Sequence, residues 1–333
     1  MERNIITMIF TAFMIILVLV TITGCNQPTV SQSGMGLKLT SDNNYKEYKI
    51  LNTGKSENLD YLTYSLTNYA PITITPDNVV IILSGFDSSF VSFNDDSTYV
   101  GSTTKLVGKG TGYEKFTVAD DLPAAVFDQK NNKYLPSTTP LYFLPISYPV
   151  NNQNQRSYSF NLVTEMCYQY QTNVTGSLCL STNPNNQDSN VCSFGSYTTG
   201  SQSQYPIQVN SISTTRLTGG FLVSVVVGNK GTGDPITSFD ECGQSDMNKV
   251  NKVNSISMVI YTGKGTIKGD CQPKNYPLGL NDNGLGVFNC NFVNQGLFSN
   301  TGANSVIQFP YKITMKYVYD TSTSRDITLD YYS

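Results

Sequence analysis

Apolar and polar residues alternate along several segments of this 333-residue chain, and this alternation constrains the fold more than any other feature. The shorter runs cover residues 62–66, 157–166, 221–227 and 256–260. In the longest, seven apolar side chains share one face: Ile307, Phe309, Tyr311, Ile313, Met315, Tyr317 and Tyr319. A repeat of two predicts strands with one buried and one solvated face. Because no segment after residue 24 shows a sustained helical apolar stripe, this part of the chain is predicted to be all-β and antiparallel. Its frequent turn signals favour sandwiches over a large barrel.

The composition excludes several classes of function. The chain has no His and no Trp, and 21 Lys and Arg against 24 Asp and Glu give a net charge of −3. Without His it lacks the usual general base near neutral pH, the usual zinc ligand and any Ser–His or Cys–His pair. Without a basic run it lacks the footprint of a nucleic-acid binder. We therefore expect no enzymatic activity, no catalytic residue, no cofactor, no metal and no nucleic-acid partner.

The N-terminus predicts export. A short head with Arg3 precedes an apolar run over residues 5–20, and Ile22-Thr23-Gly24-Cys25 follows. This resembles a lipobox, so residues 1–24 are predicted to be a lipoprotein signal peptide and the Cys25 thiol to carry a diacylglyceryl group. The alternative is an uncleaved membrane anchor, since the run approaches the ~20 residues that span a bilayer. Both interpretations place the rest of the chain on the extracytoplasmic face of the cell membrane.

The remaining cysteines predict three disulfides, because an even number in an exported chain usually pairs. They are Cys167, Cys179, Cys192, Cys242, Cys271 and Cys290. The alternative, a thiolate metal site, needs cysteines about two to four residues apart, and these are not. Many connectivities are possible. A turn at residues 170–175 favours Cys167–Cys179, the turn Asp282-Asn283-Gly284 favours Cys271–Cys290, and Cys192–Cys242 would remain to join the two halves of the chain.

Composition divides the chain after the leader into four parts. Residues 25–38 are polar and predict a flexible tether. Residues 39–195 and 204–333 are each long enough to bury the core of a β-sandwich. The Ser/Thr/Gly-rich segment 196–203 between them predicts a linker.

The two halves contain a weak internal repeat. In Tyr61–Pro71 an alternating strand runs into Asn68, and in Leu222–Gly233 another runs into Asn229-Lys230-Gly231. A further apolar strand follows each corner. A strand that ends in such a corner resembles the second strand of immunoglobulin-like modules of the adhesion type. The repeat therefore predicts two related tandem sandwiches, each with one face of each sheet in its core.

Several segments together resemble uncharacterised exported, cell-surface proteins of archaea with tandem immunoglobulin-like domains (CARDB, adhesion type). The matching stretches are residues 78–86 (NVVIILSGF), the strand Cys167-Tyr168-Gln169-Tyr170 with its return to Cys179 and Cys192, and the corner at residues 223–233. The resemblance implies two such domains at a cell surface. It implies no activity, substrate or catalytic residue.

Three further motifs have an ordinary structural interpretation. Residues 108–112 (GKGTG) lack the following helix of a phosphate loop, so we expect a surface loop. The doublets Asp95-Asp96, Asp120-Asp121 and Asp240-Glu241 are expected to be solvated loop charges, with calcium ligation between loops as the alternative. The 22 tyrosines are expected mostly in the core, and one of the neighbours Tyr331 and Tyr332 should be exposed.

The sequon Asn173-Val174-Thr175 lies in the predicted turn and makes Asn173 a candidate glycosylation site.

Three hypotheses of function follow. The first is a non-enzymatic cell-surface lipoprotein that acts in adhesion, envelope structure or the assembly of surface proteins. The second is a carbohydrate- or solute-binding lipoprotein with exposed tyrosines as a platform. The third is an extracellular hydrolase that uses two distant carboxylates. The expected partners are the membrane, through the lipid or the N-terminal helix, and other surface proteins or glycans.

Overall fold

The computed structural model describes twelve stretches of the chain: residues 36–42, 47–51, 55–94, 103–131, 133–148, 156–181, 192–202, 205–243, 251–263, 265–274, 277–293 and 306–332. They contain strands, two single-turn 3-10 helices at Pro76–Asn78 and Phe239–Glu241, and no α-helix. No helix in these stretches is long and apolar enough to cross a membrane. In chain order the strands are β1 (Leu37–Ser41), β2 (Glu47–Leu51), β3 (Glu57–Asn58), β4 (Leu62–Asn68), β5 (Val79–Ser84), β6 (Val91–Asn94), β7 (Thr104–Gly110), β8 (Tyr113–Val118), β9 (Val126–Asp128), β10 (Lys133–Leu135), β11 (Ser137–Ser147), β12 (Ser157–Ser181), β13 (Tyr197–Gln202), β14 (Ile207–Leu217), β15 (Gly220–Asn229), β16 (Asp234–Ile236), β17 (Lys252–Val253), β18 (Ser255–Thr262), β19 (Gly265–Lys268), β20 (Asp270–Gln272), β21 (Leu278–Gly279), β22 (Leu285–Val293) and β23 (Val306–Tyr332).

Strands β12 and β23 form an antiparallel ladder along the whole 25-residue length of β12. The register runs from Ser157 opposite Asp330 to Ser181 opposite Val306. At ~3.3 Å per residue, the ladder is about 80 Å long. It lies at the centre of a ten-stranded sheet in the order β19-β18-β23-β12-β5-β8-β7. Three further strands complete this sheet: β13 pairs with β12, and β2 and β16 pair with β23.

The first half of the chain places a five-stranded sheet over one part of this ladder. That sheet has the order β1-β4-β11-β3, with β6 also paired to β11. Alternation along β4 and β11 directs one face of each inward, where it meets β5, β8 and the ladder. Phe116 on β8 contacts Phe143 on β11, with the ring centroids 4.9 Å apart, so aromatic rings fill the space between the two sheets.

The second half places a four-stranded sheet, β14-β15-β22-β20, over the rest of the ladder. Ile207 on β14 connects the two layers, since its carbonyl oxygen accepts from Thr172 Oγ1 at 3.1 Å. The large buried side chains of this sheet are Phe221, Phe288 and Phe292. They belong to the same continuous hydrophobic cluster as Phe116 and Phe143, so one apolar core extends through both halves.

The predicted all-β, antiparallel, layered fold is confirmed for the described residues, and the five alternating segments lie in β4, β12, β15, β18 and β23. One pairing is parallel: β2 lies beside the end of β23, from Glu47 opposite Thr328 to Leu51 opposite Tyr332. The N-terminal helix and Cys25 lie outside the described residues.

The division into domains stays a prediction, and three observations bear on it. The expected tether, residues 25–38, overlaps β1, which begins at Leu37. The expected linker, residues 196–203, contains β13, which pairs with β12. Strand β23, expected within the second sandwich, pairs with strands of both halves.

The two Asn corners of the internal repeat share one bonding pattern. Asn68 Oδ1 accepts the N–H of Ala70, and its Nδ2 donates to the carbonyl of Ile72 at 2.9 Å. Asn229 Oδ1 accepts the N–H of Gly231, and its Nδ2 donates to the carbonyl of Gly233. Each side chain therefore closes its turn through the second and fourth residues that follow it. This shared geometry supports the interpretation of the two segments as a repeat.

Three disulfides are present, Cys167–Cys242, Cys179–Cys192 and Cys271–Cys290. The last was predicted correctly, because Cys271 and Cys290 are register partners on β20 and β22. The predicted pairs Cys167–Cys179 and Cys192–Cys242 were wrong. They needed a turn at residues 170–175, but β12 continues straight through this segment. Twelve residues along a strand separate two cysteines by about 40 Å, far beyond the reach of a disulfide.

Tyrosines fill the core at the middle of the ladder, where the two halves meet. Tyr168 and Tyr170 on β12 are register partners of Tyr319 and Tyr317 on β23. The ring of Tyr205, which precedes β14, stacks on Tyr170 at a centroid distance of 4.9 Å. Burial raises the pKa of Tyr205 to about 12, and it raises the pKa of Tyr168 and Tyr170 as well. The expectation that tyrosines pack mainly in the core is confirmed here.

The hydroxyl groups of Tyr317 and Tyr170 differ in their hydrogen bonding, so removing each should change the stability in opposite directions. Tyr317 OH pairs with Thr172 Oγ1 at 2.9 Å, whereas Tyr170 OH is buried without a hydrogen-bond partner among the described residues. Tyr170→Phe should raise the free energy of unfolding by about 1 kcal/mol, because it removes an unsatisfied buried group. Tyr317→Phe should lower it by roughly 1–2 kcal/mol, because it removes one of the two partners of Thr172 Oγ1 and the acceptor of the buried Ile207 N–H, which lies 3.4 Å from Tyr317 OH. Chemical denaturation of both variants checks this, and an equal loss of stability in the two would contradict the assignment.

Candidate functional site

An open polar cleft of about 410 Å³ lies at one end of the first half. Strands β6, β7 and β8 build it, together with the residue that follows β11. Its lining consists of hydroxyl groups, one amine, one carboxylate and a glycine: Ser88, Ser92, Lys109, Gly110, Thr111, Glu114 and Tyr148. In this cleft a buried ionisable group, Glu114, meets an opening to solvent.

Glu114 is the unusual residue of this cleft, because it lies on the core-facing side of β8. Alternation along β8 places it on the same face as Phe116 and Val118, and all three are buried. One carboxylate oxygen, Oε2, accepts the backbone N–H of Phe93 at 2.6 Å. The other, Oε1, lies 3.2 Å from Lys109 Nζ. Burial raises the pKa of Glu114, and the charge of Lys109 and the Phe93 N–H oppose that shift.

Lys109 is held opposite Glu114 by the β7–β8 hairpin, in which the two residues are register partners. Its Nζ also donates to Asn94 Oδ1 on β6 at 3.2 Å. The lysine therefore connects the hairpin to a strand of the opposing sheet. On the far side of the cleft, the hydroxyl groups of Ser92 and Tyr148 are 3.0 Å apart.

The segment 108–112 was expected to be a surface loop, and it forms the end of β7 and the turn into β8. No helix follows it, as the sequence indicated. Gly112 lies in this turn with a positive φ of 75°, a conformation that favours glycine. Sequence analysis did not single out Glu114, although the alternation of residues 114–118 already placed it beside Phe116.

The cleft has limited chemical options. Glu114 is its single lining carboxylate, whereas glycoside hydrolysis needs two across a sugar-sized gap. Calcium takes six or more oxygen ligands, which one carboxylate and scattered hydroxyl groups do not supply. What the geometry does assemble is an amine within hydrogen-bond distance of both a carboxamide and a buried carboxyl group.

Neither of the two acidic doublets in the described stretches belongs to a cluster of three or more potential metal ligands. Asp120 and Asp121 are exposed. Asp240 is exposed, and Glu241 accepts hydrogen bonds from the backbone N–H and the hydroxyl of Thr237. The doublet at residues 95–96 lies outside the described residues.

Asn173 lies inside strand β12 rather than in a turn. Its Oδ1 accepts from Thr314 Oγ1 at 3.1 Å and from Gln171 Nε2 at 3.2 Å. The turn on which the glycosylation hypothesis depended is absent, and modification of Asn173 stays a prediction. Lipidation of Cys25 also stays a prediction, because that residue lies outside the described stretches.

A second cluster, Glu165, Cys167 and Cys242, has a structural role. Its potential ligand atoms lie within 4.8 Å of one another, but both sulfurs belong to the Cys167–Cys242 disulfide. Glu165 Oε1 accepts the N–H of Gly243 at 2.7 Å. The bond and this contact hold the segment after β16 against the outer face of β12, where Ile82 and Val318 form a small separate apolar cluster with it.

Exposed tyrosines do not gather into a platform among the described residues. Tyr113, Tyr261 and Tyr332 are exposed and lie on β8, β18 and β23. Tyr331 is buried, so the prediction that one of the two last tyrosines is exposed is confirmed.

The hairpin β9–β10 exposes apolar side chains. Val126 and Leu135 are register partners, and 67% and 43% of their surfaces are exposed. Phe127 and Tyr134 form the adjacent pair, with ring centroids 5.2 Å apart. This hairpin is a two-stranded sheet of its own, separate from the sheets that cover the ladder.

Comparisons with known proteins define no class for this chain. No family model matches it, and no curated protein matches it. Among solved structures it is similar to the C-terminal domain of the Streptococcus pyogenes antigen I/II-family protein AspA, with 9% identity, a TM-score of 0.19, and 89% of this chain and 99% of that chain covered. It is also similar to the YadV chaperone, with 8% identity, a TM-score of 0.14, and 77% and 100% covered. At these TM-scores neither likeness carries an argument.

The buried Glu114 predicts a pH dependence of stability. Because its pKa is raised in the folded chain, the folded state holds the proton more tightly than the unfolded state does. This contribution is fully present below the ordinary value of 4.5 and is lost as the pH rises through the folded pKa. Between about pH 4 and pH 7, the free energy of unfolding of Glu114→Gln should therefore fall less than that of the unaltered protein.

Denaturant titrations across this range check the prediction, with Asp120→Asn as the control at an exposed carboxylate. If the Glu114→Gln and unaltered curves run parallel, the assigned environment of Glu114 is wrong.

Proposed function

We propose that this protein is a non-enzymatic cell-surface lipoprotein that acts in adhesion or in the assembly of other surface proteins. In this proposal Cys25 carries the lipid, the segment after it spans the distance to the first strand, and the β-structure faces outward. The two halves are immunoglobulin-like modules that share the β12–β23 ladder.

The cross-linked frame supports a location outside the cytoplasm. Three disulfides form in oxidising compartments and are rare in the cytosol. In the chain-entropy model, closing the Cys167–Cys242 loop adds roughly 4–5 kcal/mol of stability and the Cys179–Cys192 loop about 3 kcal/mol. A protein fixed at a surface, without intracellular chaperones around it, gains from such reinforcement.

The single observation that carries the proposed role is the exposed apolar hairpin β9–β10. Val126 and Leu135 present a cross-strand aliphatic pair to solvent on a small sheet that covers no core of its own. Protein surfaces rarely leave contiguous apolar side chains exposed unless a partner covers them. The aromatic pair Phe127 and Tyr134 lies on the opposite face of the hairpin, because neighbouring residues of a strand point to opposite faces. Phe127 is 38% exposed, and aromatic side chains are enriched at protein interfaces.

A paired substitution tests this role. Val126→Thr with Leu135→Thr retains residues that favour strands and removes apolar contact area. Burying each of the two side chains against a partner contributes roughly 1.5–3 kcal/mol to the free energy of binding. Since about 1.4 kcal/mol corresponds to a tenfold change in the dissociation constant, the double variant should bind its partner at least tenfold more weakly. The measurement is cross-linking mass spectrometry on intact cells that display the full chain, with quantified yields of cross-links to neighbouring surface molecules.

The matched control is Val287→Thr with Val293→Thr on β22, where 51% and 59% of the side chains are exposed. It should leave the yields unchanged. A full-length chain that is monomeric and free of cross-links on cells, or equal yields in both double variants, would contradict the proposal.

A further inference from the structure

Three side chains from three strands meet at the mouth of the polar cleft. Asn94 ends β6, Lys109 lies near the end of β7, and Glu114 lies on β8. Lys109 Nζ is 3.2 Å from Asn94 Oδ1 and 3.2 Å from Glu114 Oε1. An amine, a carboxamide and a carboxyl group in contact are the components of an amide exchange, in which the amine displaces ammonia.

We propose that Lys109 and Asn94 form a covalent amide cross-link between Nζ and Cγ, with Glu114 as the proton carrier. The bond would join β6, which belongs to the five-stranded sheet, to β7 at the edge of the ten-stranded sheet. It would thus tie together the two layers of the first half. This inference is independent of the proposed function, since it follows from the contacts of these three residues.

The position of Glu114 suits this role. Its Oε2 is held by the N–H of Phe93, the residue immediately before Asn94. Oε1 is therefore the oxygen that faces Lys109, whose Nζ also contacts Asn94. In water a lysine ammonium is no nucleophile, and 45% of the Lys109 side chain is exposed, whereas only 3% of the Glu114 side chain is. The desolvated carboxylate therefore takes up a proton more readily, and the amine that gives up this proton becomes the nucleophile. Burial raises the pKa of Glu114, which favours the form that holds the proton.

The distance also suits the reaction. Asn94 Cγ is one carbonyl bond from Oδ1, so a shift of about 1 Å or less brings the lysine nitrogen to the about 3–3.5 Å from which attack proceeds. A protonated Glu114 can donate to Oδ1 and stabilise the negative charge that develops there. The side chain of Lys109 is partly exposed, so the cleft gives the released ammonia a way out.

The atoms and charges balance without a co-reactant. The Lys109 ammonium gives one proton to Glu114, and the nitrogen lone pair then forms a bond to Asn94 Cγ. The tetrahedral intermediate collapses by breaking the bond between Cγ and Nδ2. The leaving nitrogen takes one proton from the attacking nitrogen and one from Glu114, and departs as ammonium. The products are a secondary amide, the Glu114 carboxylate and an ammonium ion.

Trypsin digestion of the full-length, membrane-extracted protein tests the cross-link. Lys55, Lys105 and Lys115 bound the two relevant peptides, residues 56–105 and 106–115, and neither contains a cysteine. A cross-linked Lys109 resists cleavage, so mass spectrometry should find these two peptides joined, with a mass lower than their sum by one ammonia. Fragmentation should place the branch between Asn94 and Lys109.

Variants separate the roles of the three residues. Lys109→Arg keeps the positive charge but should give no branched peptide, and Glu114→Gln should reduce its yield at least tenfold while the chain still folds. Lys105→Arg, on the same strand, keeps the trypsin site and should retain the full yield. Circular dichroism checks that each variant is folded. Recovery of peptides 106–109 and 110–115 as the main products from the folded, unaltered protein would overturn the cross-link. An unchanged yield in Glu114→Gln would overturn the role of Glu114.

Discussion

The pairing of β12 with β23 is the constraint on which the rest of the structure depends. In the first half the central sheet grows outward from β12 through β5, and in the second half it grows from β23 through β18. The five-stranded and four-stranded sheets then bury their apolar faces on opposite ends of the same ladder. Without this ladder the strands on which the two covering sheets pack would not be joined in one central sheet.

The ladder joins residues that are far apart in the chain, so its formation costs loop-closure entropy. Three features offset that cost: the tyrosine core at its middle, the Cys167–Cys242 bond on its outer face, and the shared apolar cluster. The proposed Lys109–Asn94 bond would extend the same strategy to the edge of the first half. A frame reinforced in this way holds the β9–β10 hairpin in place, and this connects the architecture to display at a surface.

The sequence predicted the strands well, because period-two alternation depends only on which face of a sheet is buried. It failed at residues 170–175, where a turn was predicted and β12 continues. Gly176, the next residue, is required by the packing of a neighbouring strand: a Cβ there would collide with the Thr198 carbonyl oxygen, at the bulge where β13 joins β12. The same limit applies to the cleft. Alternation placed Glu114 on the core face, but its contact with Phe93 and that of Lys109 with Asn94 depend on how two sheets pack, which local patterns do not encode.

Native-state hydrogen exchange on the full chain, with its disulfides intact, tests most directly whether the ladder makes both halves one cooperative unit. The amides to follow are those of β4 in the first half and β15 in the second. If the ladder governs the fold, the slowest amides of both strands will open with the same free energy and the same denaturant dependence. If the slowest amides of one strand exchange through an opening whose free energy is several kcal/mol lower than that of the other strand, the two halves unfold independently and the account is wrong.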